Sequence, residues 1–433
     1  MISTLIISLS TCALMVASVI VKPYVKIKKF NIGTYWLVAI LGALTLIFCR
    51  LIDFKEVLNG LWSDDAVNPI KILILFISMT IISVFLDEIG FFKFVAHKVL
   101  SVSKSSQKRL FFYIYAIVSF LTIFTSNDIV VLTFTPFIIH FCKAGKISPL
   151  PYLIGEFVGA NTFSMMLVIG NPTNVFLSQM NGTPFFEYLS VMFLPTLFAG
   201  ITAFLVLILI FNKKLSVPLK PIVEEVIFKE KFLLVVGLTH LILCTVLIAI
   251  ATYVNVEMWY ICLAFCLSLI LWTLFYRLST KTKPVIVIKC LKRAPWELIP
   301  FVIGMFVIVL ALDKYQITTK IAEFLGSQNL VFKYGVLSTL SSNIINNIPM
   351  SVLFSSITNK LATSVVNSAV YATIIGSNIG AFLTPVGALA GIMWSNILKS
   401  HEVKFSFLKF IKYGAIVAIP TLLVALFTLS LVI

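Results

Sequence analysis

The sequence predicts an all-α polytopic membrane protein made of two inverted-topology repeats, with about ten transmembrane helices, two re-entrant helical hairpins and two broken helices. The composition is the first observation: 60% of the 433 residues are apolar, 12% are charged and the mean hydropathy is +1.07, values that are typical of membrane proteins. The second is a matched pair of polar breaks, Gly159-Ala160-Asn161 and Gly376-Ser377-Asn378, which lie 217 positions apart. The third is the distribution of basic residues along the chain, which indicates how the helices are oriented.

The apolar runs define the spans in chain order. A stretch of about 20 apolar residues is needed to cross roughly 30 Å of hydrocarbon. Runs of this length give eight expected spans at 2–21, 32–50, 70–90, 186–211, 232–253, 258–276, 297–313 and 411–433. The first is expected to be a retained helix, because its positive charges follow the apolar run instead of preceding it.

Four further apolar regions are interrupted by polar residues. The regions 110–142 and 329–359 are too long for one helix and short for two full crossings, so each is expected to form a re-entrant hairpin of two half-length helices. The regions 151–180 and 364–397 contain Gly, Asn and Pro and are expected to be broken helices. Irregular backbone at membrane depth is tolerated only where protein or a cavity lines it, and such breaks in corresponding places of two halves point to a binding site.

The basic residues assign an orientation. If both hairpins enter and leave on one side, the segments 22–29, 93–109, 143–146, 213–231, 277–293 and 399–412 are cytoplasmic and contain 26 of the 33 Lys and Arg residues, as the positive-inside rule requires. This places both termini outside. The repeats are then 1–211 and 232–433, inverted relative to each other and joined by a cytoplasmic linker, 212–231.

The hairpin tips are the first group of candidate binding residues. A tip brings the free carbonyls of one helix end and the free N–H groups of another together near the bilayer midplane. The side chains that can cap these ends or bind a solute are Ser126, Asn127 and Asp128 in the first hairpin and Asn343, Asn346 and Asn347 in the second.

The broken helices supply the second group. Glycine allows close approach of the backbone and proline frees a carbonyl, while amide and hydroxyl groups both donate and accept hydrogen bonds. The candidates are Asn161, Thr162, Asn171 and Thr173 in the first break and Ser377, Asn378 and Thr384 in the second. Because the repeats are inverted, Asn161 and Asn378 are expected to face the two hairpin tips.

Two acids are candidates for proton coupling. Acidic side chains inside a membrane are costly and mark ion or proton paths. Asp128 lies at the first tip, where the second half has the neutral Asn347, so the two halves differ there. Glu156 lies close to the start of its helix, which leaves an interfacial position open as well.

The candidate site contains no Lys or Arg, and the sequence indicates no metal site, no enzyme motif and no cofactor other than a proton or sodium ion for coupling. One carboxylate among amides and hydroxyls favours a neutral polyol-like solute or a cation. A carboxylate substrate stays open, because helix N-termini bind anions without a formal positive charge. A channel stays open too, although inverted repeats with broken helices favour alternating access.

At these residues the chain resembles the ion transporter superfamily, and within it the arsenical pump membrane protein (ArsB-like) permeases. The similarity runs through nearly the whole chain, and its motifs are Thr125-Ser126-Asn127-Asp128, Asn346-Asn347-Ile348-Pro349 and Gly376-Ser377-Asn378-Ile379-Gly380 through Leu389. The resemblance implies a scaffold domain, a transport domain built from the hairpins and broken helices, and export of arsenite or antimonite against proton entry. The segment Gly170-Asn171-Pro172-Thr173-Asn174 looks more like the anion permeases of the superfamily.

The sequence therefore predicts a proton-coupled secondary transporter for arsenite or antimonite in the cell (inner or plasma) membrane. The alternatives are a sodium/proton antiporter and a small-anion permease of the dicarboxylate or sulfate type. Expected partners are a small solute or ion and the lipid bilayer, with no nucleic acid; a homodimer and an accessory ATPase subunit are implied by the resemblance alone.

Overall fold

The computed structural model describes residues 1–22, 24–27, 30–62, 68–103, 106–179, 182–218 and 230–433. Most of the predicted linker, residues 219–229, lies outside the described residues. Of its remaining positions, 212–215 belong to the last helix of the first half and 231 begins the first helix of the second half.

The first half contains ten α-helices within its described residues. Two 3₁₀ turns, Ser164–Met166 and Val168–Gly170, connect the eighth helix to the ninth. In chain order the helices are α1 (Ile2–Val21), α2 (Thr34–Phe48), α3 (Phe54–Trp62), α4 (Pro69–Glu88), α5 (Phe91–Val102), α6 (Gln107–Phe124), α7 (Asn127–Gly145), α8 (Leu150–Phe163), α9 (Pro172–Gln179) and α10 (Phe185–Leu215).

The second half also contains ten α-helices within its described residues, and a 3₁₀ turn, Thr252–Val254, follows the first of them. They are α11 (Lys231–Ala251), α12 (Met258–Ser279), α13 (Val285–Arg293), α14 (Leu298–Lys314), α15 (Ile317–Leu325), α16 (Leu330–Ile345), α17 (Asn347–Thr358), α18 (Thr363–Gly380), α19 (Leu389–Ser400) and α20 (Phe407–Val432).

The predicted all-α membrane fold is confirmed, with one small addition. Strands β1 (Tyr24–Ile27) and β2 (Phe30–Gly33) form an antiparallel pair between α1 and α2, in a register that places Tyr24 opposite Gly33. Eight helices among the described residues are long and apolar enough to cross a membrane, and α1 and α2 are shorter apolar helices. Two of the eight are α6 and α7, the arms of the first hairpin.

In each hairpin the two arms meet at the predicted polar tip, but the arms of the first hairpin are longer than expected. Helices α6 and α7 contain 18 and 19 residues, which at 1.5 Å per residue corresponds to about 27 Å each. The prediction of half-length arms is therefore wrong for the first hairpin. In the second hairpin, α16 and α17 contain 16 and 12 residues.

The two halves pack in a reciprocal way. Helix α7 of the first hairpin packs against α19 of the second broken helix, and α17 of the second hairpin packs against α9 of the first. In the same way α2 packs against α14 and α4 against α12, while α10 and α20 pack against each other. Each hairpin is thus held partly by the broken helix of the opposite half.

The two broken helices form the centre of the molecule. Every residue from Pro151 to Thr162 in α8 and from Ala369 to Gly380 in α18 is buried. Helix α18 approaches α16 so closely that a Cβ atom on Gly376 would lie 2.4 Å from the carbonyl oxygen of Gly335. Gly376 therefore has a packing role, as small residues commonly do where membrane helices meet.

Candidate functional site

The first hairpin tip is bonded to the first broken helix. Helix α6 ends at Phe124, and α7 begins at Asn127 after an extended Ser126. The Asn127 side-chain amide donates a 3.0 Å hydrogen bond to Oδ1 of Asn161 on α8. The hydroxyl of Thr122 on α6 donates a 3.0 Å bond to the carbonyl of Ala160. Both arms of the hairpin are therefore attached to α8 near the predicted site.

The break between α8 and α9 is stabilised by an asparagine that was not among the predicted site residues. Asn174 donates from its amide to the carbonyls of Ser164 at 2.8 Å and Leu167 at 3.1 Å, both of which belong to the interrupted segment. Gly170 lies against the same turn, and a Cβ atom there would be 2.3 Å from the Ser164 carbonyl oxygen. The sequence signal for Asn174 was its position in the Gly-Asn-Pro-Thr-Asn segment.

Asn378 connects the second broken helix to the first. Its Oδ1 accepts hydrogen bonds from the Ser164 hydroxyl at 2.8 Å and from Asn171 Nδ2 at 2.9 Å. Its Nδ2 donates to Asn174 Oδ1 at 2.7 Å and to the Ile374 carbonyl at 2.8 Å. All four hydrogen-bonding positions of this amide have a partner within reach, and the single hydrogen of the Ser164 hydroxyl is shared with the Asn161 carbonyl, 2.8 Å away. Asn161 faces the first tip as expected, whereas Asn378 bonds to the opposite broken helix instead of the second tip.

At the second tip, three predicted side chains hold the loop together. Asn346 has a positive φ of 72° and donates to the Val386 carbonyl at 2.9 Å. Asn343 donates to the Gly380 carbonyl at 3.0 Å and accepts from the Thr384 hydroxyl at 2.6 Å. The backbone N–H of Asn347 donates to the Gly387 carbonyl at 3.0 Å. These contacts fasten the second tip to the second break.

Six of the predicted side chains are buried and carry an oxygen with no hydrogen-bond partner among the described residues. A buried polar group left unpaired costs about 1–3 kcal/mol, so such a group is expected to find a partner in another state of the protein. Two of these oxygens are amide oxygens, which only accept hydrogen bonds, and the other four are hydroxyls. They belong to Ser126, Asn127, Thr162, Thr173, Asn347 and Ser377.

Asp128 is half-buried in the first turn of α7, where the helix dipole favours a negative charge. It has no hydrogen bond or ion pair with any residue that the structure describes. Its carboxyl lies within electrostatic range of Tyr35, whose hydroxyl donates a 2.9 Å bond to Oε2 of Glu297. Tyr35 and Glu297 are 262 residues apart, so no sequence pattern could have indicated this pair.

Glu156 is fully buried inside the protein. Its only hydrogen-bond partner among the described residues is the Thr135 hydroxyl on α7, at 2.9 Å. The Thr135 oxygen also lies 2.7 Å from the Val131 carbonyl. A hydroxyl has one hydrogen to donate, so both contacts are satisfied when a protonated Glu156 donates to Thr135 and Thr135 donates to Val131.

The space beside the second tip is small in this conformation. An enclosure of about 10 Å³ lies between Asn346, Val386, Tyr35 and Phe301. This is close to the volume needed for a single water molecule. The second tip therefore closes against α2 and α14 here.

Comparison with known proteins assigns the chain to a family. A family model described as citrate transporter (CitMHS) matches residues 30–376, which include both hairpins and the first broken helix. The chain belongs to the citrate transporter family. It is therefore a multi-pass membrane transporter, as the predicted fold requires.

Curated relatives confirm the resemblance to arsenical pump membrane proteins. The arsenical pump membrane protein of Escherichia coli is 27% identical over 425 residues, which is 93% of this chain and 94% of that protein. The putative arsenical pump membrane protein of Bacillus subtilis (strain 168) is 26% identical, with 90% and 92% covered. Among solved structures, the YdaH transporter of Alcanivorax borkumensis matches with a TM-score of 0.53 at 13% identity, covering 99% of this chain and 96% of that one. This last match shows a shared fold.

Proposed function

We propose that this protein is a secondary active transporter that exports arsenite or antimonite in exchange for protons by alternating access. The observation that carries the proposal is the set of six buried, unpartnered oxygens at the tips and breaks, in a region where no predicted site residue is basic. Trivalent arsenite is a neutral hydroxide at neutral pH and presents hydroxyl donors. The amide oxygens of Asn127 and Asn347 accept hydrogen bonds only, so they complement such a solute.

Proton exchange is assigned to the two acids of the first half. Asp128 is half-buried at the first tip and has no ion-pair partner among the described residues, so it can gain and lose a proton as the site opens. Glu156 joins the same hairpin to α8 through Thr135. In this proposal the coupling ion is the proton, and no other cofactor takes part.

The reciprocal packing of the two halves supports alternating access. Because each hairpin contacts the broken helix of the opposite half, the four elements can move as one transport unit against α2, α4, α12 and α14. We assign both termini to the outside of the cell (inner or plasma) membrane from the 26 basic residues of the predicted cytoplasmic segments. A homodimer and an accessory ATPase subunit belong to the proposal through the family resemblance alone.

A second candidate is a small-anion permease. The family description names citrate, and α7 has no side-chain cap at the first tip, so the free N–H groups of its N-terminus can bind an anion. A sodium/proton antiporter is the third, since the unpartnered amide oxygens are also ligands for a hard cation.

Growth and uptake separate these functions. The gene is expressed in cells that lack metalloid efflux and, separately, in cells that lack sodium efflux. Restored growth on arsenite with none on high sodium supports the proposal, whereas restored growth on sodium alone replaces it. Uptake of labelled citrate, dicarboxylate or sulfate without either rescue assigns the protein to the anion permeases.

A further inference from the structure

An apolar groove separates the first hairpin from the first helix of the second half. Its volume is about 310 Å³, and it lies between the end of α6 and the middle of α11, with Phe91 of α5 at one edge. Helices α6 and α11 are not among the pairs that pack against each other closely. The lining residues are Phe91, Phe120, Leu121, Phe124, Thr125, Leu238, Leu241, Ile242, Thr245 and Val246.

The groove offers no free polar group. Its two threonines donate their hydroxyl hydrogens to their own helices: Thr125 to the Leu121 carbonyl at 2.7 Å and Thr245 to the Leu241 carbonyl at 2.8 Å. The other lining side chains are hydrocarbon. Water is disfavoured in a space of this kind, because apolar cavities stay dry.

The groove opens towards the lipid. Both walls belong to helices that are long and apolar enough to cross a membrane. Phe120 and Ile242 are each 58% exposed and Val246 is 52% exposed, so these side chains face the hydrocarbon when the protein is in a bilayer. An empty groove would leave its lining without dispersion contacts.

We propose that this groove binds one acyl chain of a membrane lipid. At this depth of the bilayer, acyl chains are the abundant apolar molecules, and the volume is at the lower end of the roughly 300–1,000 Å³ of typical ligand pockets. Thr125, which lines the groove, directly precedes Ser126 and Asn127 at the first tip. The lipid chain therefore fills the gap between the first hairpin and α11, and the hairpin can shift relative to α11 without breaking close packing between α6 and α11.

Photo-crosslinking in bilayers tests the proposal independently of the transported solute. The full chain is reconstituted with a phospholipid that carries a photoactivatable group midway along one acyl chain, and crosslinked peptides are mapped by mass spectrometry. We expect crosslinks to concentrate on 120–125 and 238–246. Val246→Trp, which fills the groove, should abolish this enrichment. The matched control Leu243→Trp lies on the same helix at 47% exposure but outside the groove, and should preserve it.

Two results would overturn the proposal. The first is a set of crosslinks spread evenly over the exposed faces of α11, or reduced equally by both tryptophan substitutions. It would mean that lipid contacts the helix without a specific binding site. The second is a crosslink from the groove-lining residues to another copy of the chain, obtained with a protein-reactive probe. It would mean that another protomer covers the groove. Both variants change lipid-facing positions, and elution as a folded species in size-exclusion chromatography is required before either is compared.

Discussion

Asn378 connects the two broken helices at the centre of the site. Its amide joins three side chains of the opposite half, those of Ser164, Asn171 and Asn174. The sequence predicted its importance from the repeated Gly-x-Asn pattern, because that pattern identifies a polar residue inside an apolar helix. It did not predict the partners, since nothing in one sequence specifies which distant amides meet across two halves.

Asn378→Ala should therefore destabilise the protein more than an ordinary asparagine substitution. The side-chain amides of Asn171 and Asn174 each lose a partner, and each unsatisfied group costs about 1–3 kcal/mol, while the Ser164 hydroxyl keeps the Asn161 carbonyl. The measurement is the midpoint of thermal unfolding in detergent, compared with Asn359→Ala at an exposed position. Equal midpoints for the two variants would mean that the network does not contribute to stability.

Glu156 gives a second prediction at this scale. In Glu156→Gln the side-chain amide can still donate to Thr135, but it cannot release a proton. We expect this variant to fold with near-normal stability and to lose proton-driven transport, whereas Glu156→Leu should lose stability as well, because Thr135 then has no side-chain partner. Retention of full proton-driven transport by Glu156→Gln would remove Glu156 from the coupling path.

At the scale of elements, the long apolar runs were predictable and the short amphipathic helices were not. The apolar run at residues 2–21 coincides with α1, and that at 70–90 lies within one or two residues of α4. Helices α3, α5, α13 and α15 were missed, since their polar faces interrupt the apolar runs that identify spans. The length of the first hairpin was also misjudged, because a polar tip does not indicate how far its arms extend.

The break between α8 and α9 depends on Gly170. A Cβ atom added to Gly170 would lie 2.3 Å from the Ser164 carbonyl oxygen. This oxygen belongs to the backbone, so it cannot move away as the end of a flexible side chain could. Gly170→Ala should destabilise the protein by about 1–3 kcal/mol, as overpacking of a core usually does. Gly60→Ala is the control, because its nearest neighbour is a phenylalanine ring atom at 3.2 Å. The thermal midpoints of the two variants provide the comparison, and a similar loss in both would contradict a special role for the break.

At the scale of the whole molecule, the account depends on two halves of opposite orientation. The order of helices is the same in each half, and the contacts between them are reciprocal. The sequence indicated this from the spacing of the breaks and from the basic residues. It could not indicate that α7 packs against α19 and α17 against α9, because a repeat defines like elements and not their contacts.

Labelling tests the orientation. In a cysteine-free background, Gln328→Cys and Lys281→Cys both lie at exposed positions, on the predicted outer and cytoplasmic sides. A membrane-impermeant maleimide added to intact cells should label Gln328→Cys and not Lys281→Cys, and permeabilised cells should label both. The opposite pattern in intact cells would invert the proposed topology.

The central claim is that Asp128 couples proton movement to the export of a neutral metalloid. Its most direct measurement is arsenite uptake into everted membrane vesicles with an acidic lumen, where uptake corresponds to export from the cell. The protein should accumulate arsenite only while the gradient lasts, and so should Asp53→Asn, a matched change at an exposed acid. Asp128→Asn should still move arsenite down its own concentration gradient but should fail to accumulate it. Full gradient-driven accumulation by Asp128→Asn would contradict the account.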